Sequence, residues 1–189
     1  MRKLAVFNFM TLDGYFEGPE KGEYAWHKHQ QDSEETEYAE DKMQYDNTLV
    51  MGRVTYDQMV SFWPTENAIK MFPEVAKGMN KAEKIVFSNS VKKSDWNNTR
   101  IVNGDIAEEI RKLKNLPGKD MTILGSGSII TQLAENDLID EFQFMIDPIA
   151  IGKGTSIFKG IKHQLNLELI STKTLKDGVV ILTYKPRYS

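Results

Sequence analysis

The chain has no cysteine, and that single absence excludes disulfides, thiolate nucleophiles, Cys-ligated zinc and thiol redox chemistry. Any redox chemistry must therefore use a borrowed cofactor. It also has no run of about 18 consecutive apolar residues, so no membrane-spanning helix is expected. Asn8, Thr11 and Asp13 interrupt the apolar N-terminal stretch before a signal-peptide core is complete. That stretch reads as a first strand, and the expected location is the cytoplasm. A strong charge of one sign is missing too: 24 Lys plus Arg against 27 Asp plus Glu leave −3, with no global attraction for nucleic acid. The charge is uneven, with 11 acids against 5 Lys or Arg in residues 1–46 and 7 Lys or Arg against 2 acids in 153–189. This asymmetry reads as solvated surface. No Pro/Gly/Ser linker, repeat or low-complexity tract divides the 189 residues, so one domain over 1–189 is expected.

What the sequence does contain is an alternation of strand-like and helix-like segments joined by turn signals. Leu4 to Met10 is an apolar run suited to burial on both faces, closed by Asp13-Gly14. Asp32 to Asp46 holds strong helix formers, with Asp32 and Glu35 spaced as a capping box. Thr48 to Met51 reads as a strand, and Gly52 turns it into a helix running to about Val60. A helix at Pro73–Lys81 precedes strands at Lys84–Phe87 and Arg100–Val102. The next helix starts at Asp105, with Glu108 as the reciprocal half of a capping box, and stops at Pro117-Gly118. Met121 to Leu124 is a buried-type strand running into Gly125-Ser126-Gly127-Ser128 and a helix with Ile129, Ile130, Leu133 and Ala134 on one face. Beyond Asp137 the pattern becomes antiparallel: Phe142, Phe144 and Ile146 alternate with Glu141, Gln143 and Met145. A closing hairpin pairs Leu165–Thr172 with Val179–Tyr184 across Lys176-Asp177-Gly178.

The strongest chemical signal is Gly125-Ser126-Gly127-Ser128. A strand that ends in small residues and opens a helix presents free backbone N–H groups and a positive dipole end to an anion. A plain tight turn is the alternative reading. The segment is neither a Walker loop nor a complete Gly-x-Gly-x-x-Gly, because Ile130 takes the last position. Gly52-Arg53-Val54-Thr55 repeats the logic and adds a guanidinium able to fork onto phosphate, although Arg53 also reads as a surface residue beside a packing glycine. Ser88-Asn89-Ser90 offers compact donors for a ribose or a 2′-phosphate, or simply a turn.

Candidates for acid–base work are Asp13, Glu17, Glu35 or Glu37, and Asp147 before Pro148, none with a distinctive partner spacing. The helix acids also read as a solvated face. His27 and His29 lie two apart, but no His/Asp signature supports a metal site. Trp26, Tyr15 and Phe16 suit either an aromatic wall for a flat ring or ordinary packing. There is no Gly-x-Ser-x-Gly elbow, which argues against a serine hydrolase.

Taken in order, Thr11-Leu12-Asp13-Gly14, Leu49 through Tyr56, Phe87 through Ser90 and Ile123 through Ser128 resemble the dihydrofolate reductase superfamily. With Gly152 through Thr155, the chain is most similar to the reductase domain of the bacterial riboflavin-biosynthesis deaminase-reductase. The resemblance covers nearly the whole chain. It implies a three-layer α/β fold: a central, mostly parallel sheet with an antiparallel C-terminal hairpin and helices on both faces. It also implies NADPH across the carboxyl ends of the strands and activity of the dihydrofolate reductase or 5-amino-6-(5-phosphoribosylamino)uracil reductase type.

Matched motif to motif, the resemblance places Gly52, Arg53, Val54 and Thr55 on the pyrophosphate, with Arg53 also near the adenosine phosphate. Ser88, Asn89 and Ser90 fall near the adenosine ribose. Gly125, Ser126, Gly127, Ser128 and Ile129 cradle the pyrophosphate and nicotinamide ribose, across a Gly125-Ser126 bond that the family makes cis. Thr11, Leu12, Asp13 and Gly14 border the nicotinamide, Thr155 borders the diphosphate, and Asp13 or water delivers a proton. No single acid on the Asp32–Asp46 helix matches the folate-binding carboxylate, and there is no deaminase domain. The expected activity is therefore hydride transfer from NADPH to a C=N or C=O group of a small substrate by a freestanding homodimer. The alternatives are a non-catalytic dinucleotide-binding module and a hydrolase using Asp13 or His27 with an adventitious metal.

Overall fold

The computed structural model describes residues 1–27, 34–44 and 46–188. Strand β1 (Leu4–Thr11) lies inside the sheet, paired in parallel with β6 (Met121–Leu124) on one side and β7 (Glu141–Asp147) on the other. Strand alternation sends its apolar residues to two different cores. Leu4 and Val6 join a cluster under α5 (Ile106–Asn115) and α6 (Gly127–Ala134). Phe7 and Phe9 pack on the opposite face, against Tyr38 of α1 (Glu34–Gln44). A residue run apolar on both faces is what such a central strand requires.

Strands β3 (Thr48–Gly52), β4 (Lys84–Phe87) and β5 (Thr99–Val102) extend the parallel sheet beyond β6, and β9 (Leu167–Thr174) and β10 (Val180–Pro186) extend it beyond β7. The order is β5-β4-β3-β6-β1-β7-β10-β9, antiparallel only at the β7–β10 and β10–β9 steps. The face opposite α5 and α6 is covered by α1, α2 (Arg53–Phe62) and α4 (Pro73–Lys81), whose Tyr56, Val75 and Met79 bury against Leu49, Met51 and Val86. The expected α/β architecture is the observed one.

The differences are local and have local causes. Helix α3 (Glu66–Met71) has no signature in the sequence, because six residues carry no readable period; Thr65 caps it by accepting the Ala68 N–H at 3.2 Å. In β7, Gln143 and Met145 are buried along with Phe142 and Phe144, because the strand is interior and has no solvent face. Asp105 accepts the Glu108 N–H at 2.7 Å, as a cap should. The Glu108 carboxylate, however, pairs with Lys112 at 2.7 Å, which corrects the expected reciprocal half of that box. Asp32, proposed as the cap of α1, lies outside the described residues.

Among the described residues, one lysine is wholly internal. Lys84 has no exposed surface, and its Nζ donates to the carbonyls of Met79 (2.8 Å) and Ala82 (2.7 Å) at the end of α4. It also sits 4.4 Å from the centre of the Trp96 ring. Burial pushes its pKa down to about 8. The side chain closes a helix C-terminus from inside the core, where carbonyls left by the last turn have no water to accept from.

Candidate active site

Strands β3, β4, β6, β1 and β7 run the same way, so their carboxyl ends share one edge of the sheet. The order β3-β6-β1 sets a late strand between two early ones, and crevices at such reversals are where open α/β sheets bind ligands. Gly52–Thr55 follows β3, Ser88–Ser90 follows β4, Gly125–Ser128 follows β6 and Thr11–Gly14 follows β1. Four motifs separated in sequence are thus brought to one edge.

The first and third of these touch. Ser126 Oγ accepts the Gly52 N–H at 2.7 Å and lies 2.9 Å from Thr55 Oγ1, tying the N-termini of α2 and α6 together. The approach is close enough that a Cβ on Gly125 would lie 2.9 Å from Thr55 Oγ1. The chain reverses here through left-handed conformations at Gly125 (φ 54°) and Ser126 (φ 63°). The Gly125-Ser126 bond is trans, which overturns the expected cis bond: two consecutive left-handed residues make the turn without it.

The other expected site residues divide. Arg53 is exposed and, among the described residues, is held by an exposed ion pair with Asp57 at 2.8 Å, so its guanidinium can turn toward a ligand at small cost. Val54 occupies the first turn of α2 beside it. Ser88 Oγ accepts the N–H groups of Ser90 and Val91 at 3.2 and 3.0 Å, and Asn89 and Ser90 stand exposed one strand farther out. Gly127 and Ser128 open α6, and Ile129 in its first turn is 2% exposed, with its side chain packed in the core. Thr155 pairs with Glu17 between the short strands β2 (Tyr15–Glu17) and β8 (Thr155–Ser156). That pairing needs glycine beside it, since a Cβ on Gly154 would lie 2.3 Å from the Glu17 carbonyl oxygen. Leu12 is exposed, and Gly14 turns at φ 86° with its N–H bonded to the Thr11 carbonyl at 2.9 Å.

Asp13, one of the two expected proton sources, is engaged by backbone donors. Its carboxylate accepts the N–H groups of Ile151 (3.1 Å) and Gly152 (2.8 Å), latching the end of β1 to the loop before Thr155. The Thr11 hydroxyl and these backbone donors hold its pKa below the ordinary carboxylate range. A carboxylate so placed accepts hydrogen bonds and stays ionised.

A buried acid–base cluster lies across β1 from α6. His27 Nε2 lies 3.1 Å from Glu35 Oε1 on α1, and Nδ1 lies 3.1 Å from Asp147 Oδ2 at the end of β7. The imidazole side chain is 3% exposed and stacks on Phe9 with ring centres 4.0 Å apart. Burial pushes the His27 pKa down, but hydrogen bonds and charge from Asp147 and Glu35 outweigh it and raise the pKa to about 9. Trp26 meets the His27 ring edge-on at 5.7 Å and stacks on Tyr24 at 6.1 Å. Burial, with the charge of Glu17, pushes the Tyr24 pKa up to about 12, so its phenol stays protonated. Of the proposed aromatic wall, Trp26 joins this cluster, while Phe16 is buried against α6, where a Cβ on Gly127 would lie 2.9 Å from its ring. Each acid of the cluster is visible in the sequence, but 120 residues separate His27 from Asp147 and no local spacing signals their meeting. His29 lies outside the described residues.

The chain has the fold of dihydrofolate reductase: over 98% of its length it superposes on the Enterococcus faecalis enzyme complexed with NADP(H) at a TM-score of 0.67 and 18% identity, covering 97% of that chain. A Shewanella sp. PV-4 protein assigned to riboflavin biosynthesis is more similar, with a TM-score of 0.76 and 23% identity over 98% of this chain and 99% of that one. The chain belongs to the RibD C-terminal domain family, whose model matches residues 2–181. It is also 32% identical over 183 residues to YyaP, an uncharacterized protein of Bacillus subtilis (strain 168), covering 97% of this chain and 94% of that one.

Proposed function

We propose that this protein is an NADPH-dependent reductase acting on a C=N or C=O group of a small, flat heterocyclic or carbonyl substrate. The observation that carries the reading is the hydrogen-bonded contact between the N-termini of α2 and α6, through Ser126, at the carboxyl edge of a dihydrofolate reductase-like sheet. Two helix N-termini side by side offer backbone N–H groups and dipole to a diphosphate. The glycine at 125 leaves the approach clear, since a Cβ there would already crowd Thr55. These residues fit a dinucleotide, with Gly52, Val54, Thr55, Gly125, Ser126, Gly127 and Ser128 at the diphosphate, Thr155 at its edge, and Thr11, Leu12 and Gly14 toward the nicotinamide. Arg53, Ser88, Asn89 and Ser90 are assigned to the adenosine side and its 2′-phosphate.

When bound, NADPH supplies a hydride from its C4 position. The protein's part is to hold donor and acceptor carbons about 3–3.5 Å apart and to exclude water. Phe9, Trp26 and the His27 cluster form the wall on the substrate side of β1, and the proton held there is on His27 between two carboxylates. Asp13 shapes the turn rather than giving a proton.

A titration of purified protein with NADPH and NADH, followed by nicotinamide fluorescence, tests the reading. NADPH-selective binding, then NADPH oxidation with a panel of cyclic imines and carbonyl compounds, is the expected result; binding of neither cofactor refutes it. Arg53→Ala is expected to weaken NADPH by about 10- to 100-fold, the loss of a charge-assisted phosphate contact, and NADH by less than about threefold. Equal losses would remove Arg53 from the 2′-phosphate.

A homodimer is part of the same proposal. Strand β9 is the outer strand of the sheet and carries Leu169 and Ile170 at 52% and 56% exposure, an edge that a second copy would cover. Light scattering is expected to give twice 21.6 kDa, and Ile170→Lys to give 21.6 kDa. A 21.6 kDa species for the unaltered protein would overturn it.

A further inference from the structure

Among the described residues, two buried side-chain polar atoms lack a hydrogen-bond partner, Trp26 Nε1 in the aromatic cluster and Asn8 Oδ1 in the sheet. Asn8 lies on β1 and is 3% exposed. Native proteins rarely leave a buried acceptor unpaired, because burial removes its water partner and gives nothing back. An aliphatic residue would have filled the same space without that penalty, as Val6 does two residues earlier on the same face.

Its position shows what could pair with it. Alternation puts Asn8 on the α6 side of the sheet, opposite Phe7, Phe9 and the His27 cluster. Phe7 is in register with Leu124, the last residue of β6, so Asn8 stands one step beyond that pair, level with the Gly125–Ser126 turn. On the other side it pairs with Phe144 of β7, whose ring is buried and apolar. The orphan acceptor therefore lies on the α6 side of β1, level with the turn that opens α6.

We infer that Asn8 is a ligand-recognition residue whose carboxamide oxygen accepts a hydrogen bond from an N–H or O–H donor on the nicotinamide-ribose half of the bound dinucleotide. The inference rests on the proposed reductase reading and adds a residue to it that no motif contains. Its signature is an opposition between stability and binding. Asn8→Leu keeps the shape and removes an unpaired polar group, so the ligand-free protein should melt at the same temperature or higher. The same change should weaken NADPH about tenfold, the loss of one buried hydrogen bond.

The experiment measures melting temperature and affinity for NADPH and for 2′-phospho-ADP-ribose, which lacks the nicotinamide, with unaltered protein and Asn8→Leu. A tenfold loss for NADPH alone assigns the donor to the carboxamide of the nicotinamide, and an equal loss for both assigns it to a ribose hydroxyl. Unchanged affinity for both in a folded variant overturns the inference while leaving the reductase reading in place. Failure of the unaltered protein to bind NADPH removes both. If Asn8→Leu melts well below the unaltered protein, Asn8→Ala is measured next; destabilisation by both with affinity unchanged makes Asn8 a structural residue and overturns the inference.

Discussion

Replacement of His27 by alanine is expected to lower the unfolding free energy by about 3–5 kcal/mol near pH 7, among the larger losses open to a single substitution. The imidazole is 3% exposed and joins Glu35 to Asp147, so its removal leaves two carboxylates in a poorly solvated space without their shared cation. The effect carries a pH signature. Against an ordinary value of 6.5, the folded-state pKa of His27 is raised to about 9. A histidine raised in the fold contributes stability that is fully present below its unfolded pKa and is lost as pH rises through the folded one. The gap corresponds to about 3 kcal/mol, at roughly 1.4 kcal/mol per pH unit. Urea unfolding at pH 6, 7.5 and 9 should show the unaltered protein losing that stability across the interval while His27→Ala stays comparatively flat. Parallel curves for the two proteins would show that the cluster does not hold a proton.

Lys84→Ala is expected to be of similar size, about 3–5 kcal/mol, for a different reason. Lys84 bonds the carbonyls that α4 leaves at its end and fills the space beside Trp96. Alanine leaves those acceptors unpaired and opens a cavity, and the two costs add. Lys84→Met restores the volume without the donors, so it should recover part of the loss and no more. Equal stability of the methionine variant and the unaltered protein in urea would mean that the carbonyls find other partners.

Elements governed by their own residues were legible in the sequence. Pro73–Lys81, Lys84–Phe87 and Met121–Leu124 have the bounds that their composition indicates, because proline at a first helical position and short apolar runs before polar turns act locally. The strand-to-helix turns after β3 and β6 were legible for the same reason: a glycine at the end of a strand marks where the backbone reverses. Local chemistry left other positions undecided. The acids of α1 read both as acid–base candidates and as a solvated face, and sequence did not distinguish Glu35, 6% exposed beneath His27, from its neighbours. Asp13 read, with water, as a source of the proton; nothing local signals that its carboxylate accepts from the backbone of Ile151 and Gly152.

Most strands and helices, the absence of thiol chemistry, and the two strand-to-helix junctions Gly52-Arg53-Val54-Thr55 and Gly125-Ser126-Gly127-Ser128 are written in local sequence. Those properties depend on residues within a few positions of one another, through backbone conformation and side-chain period. The insertion of β6 between β3 and β1, the reach of Ser126 to Gly52 and the meeting of residues 27, 35 and 147 come from packing instead. Pairings of that kind are set by strand order and by which apolar faces can be buried together. Those are properties of the whole packed chain, and no short segment carries them.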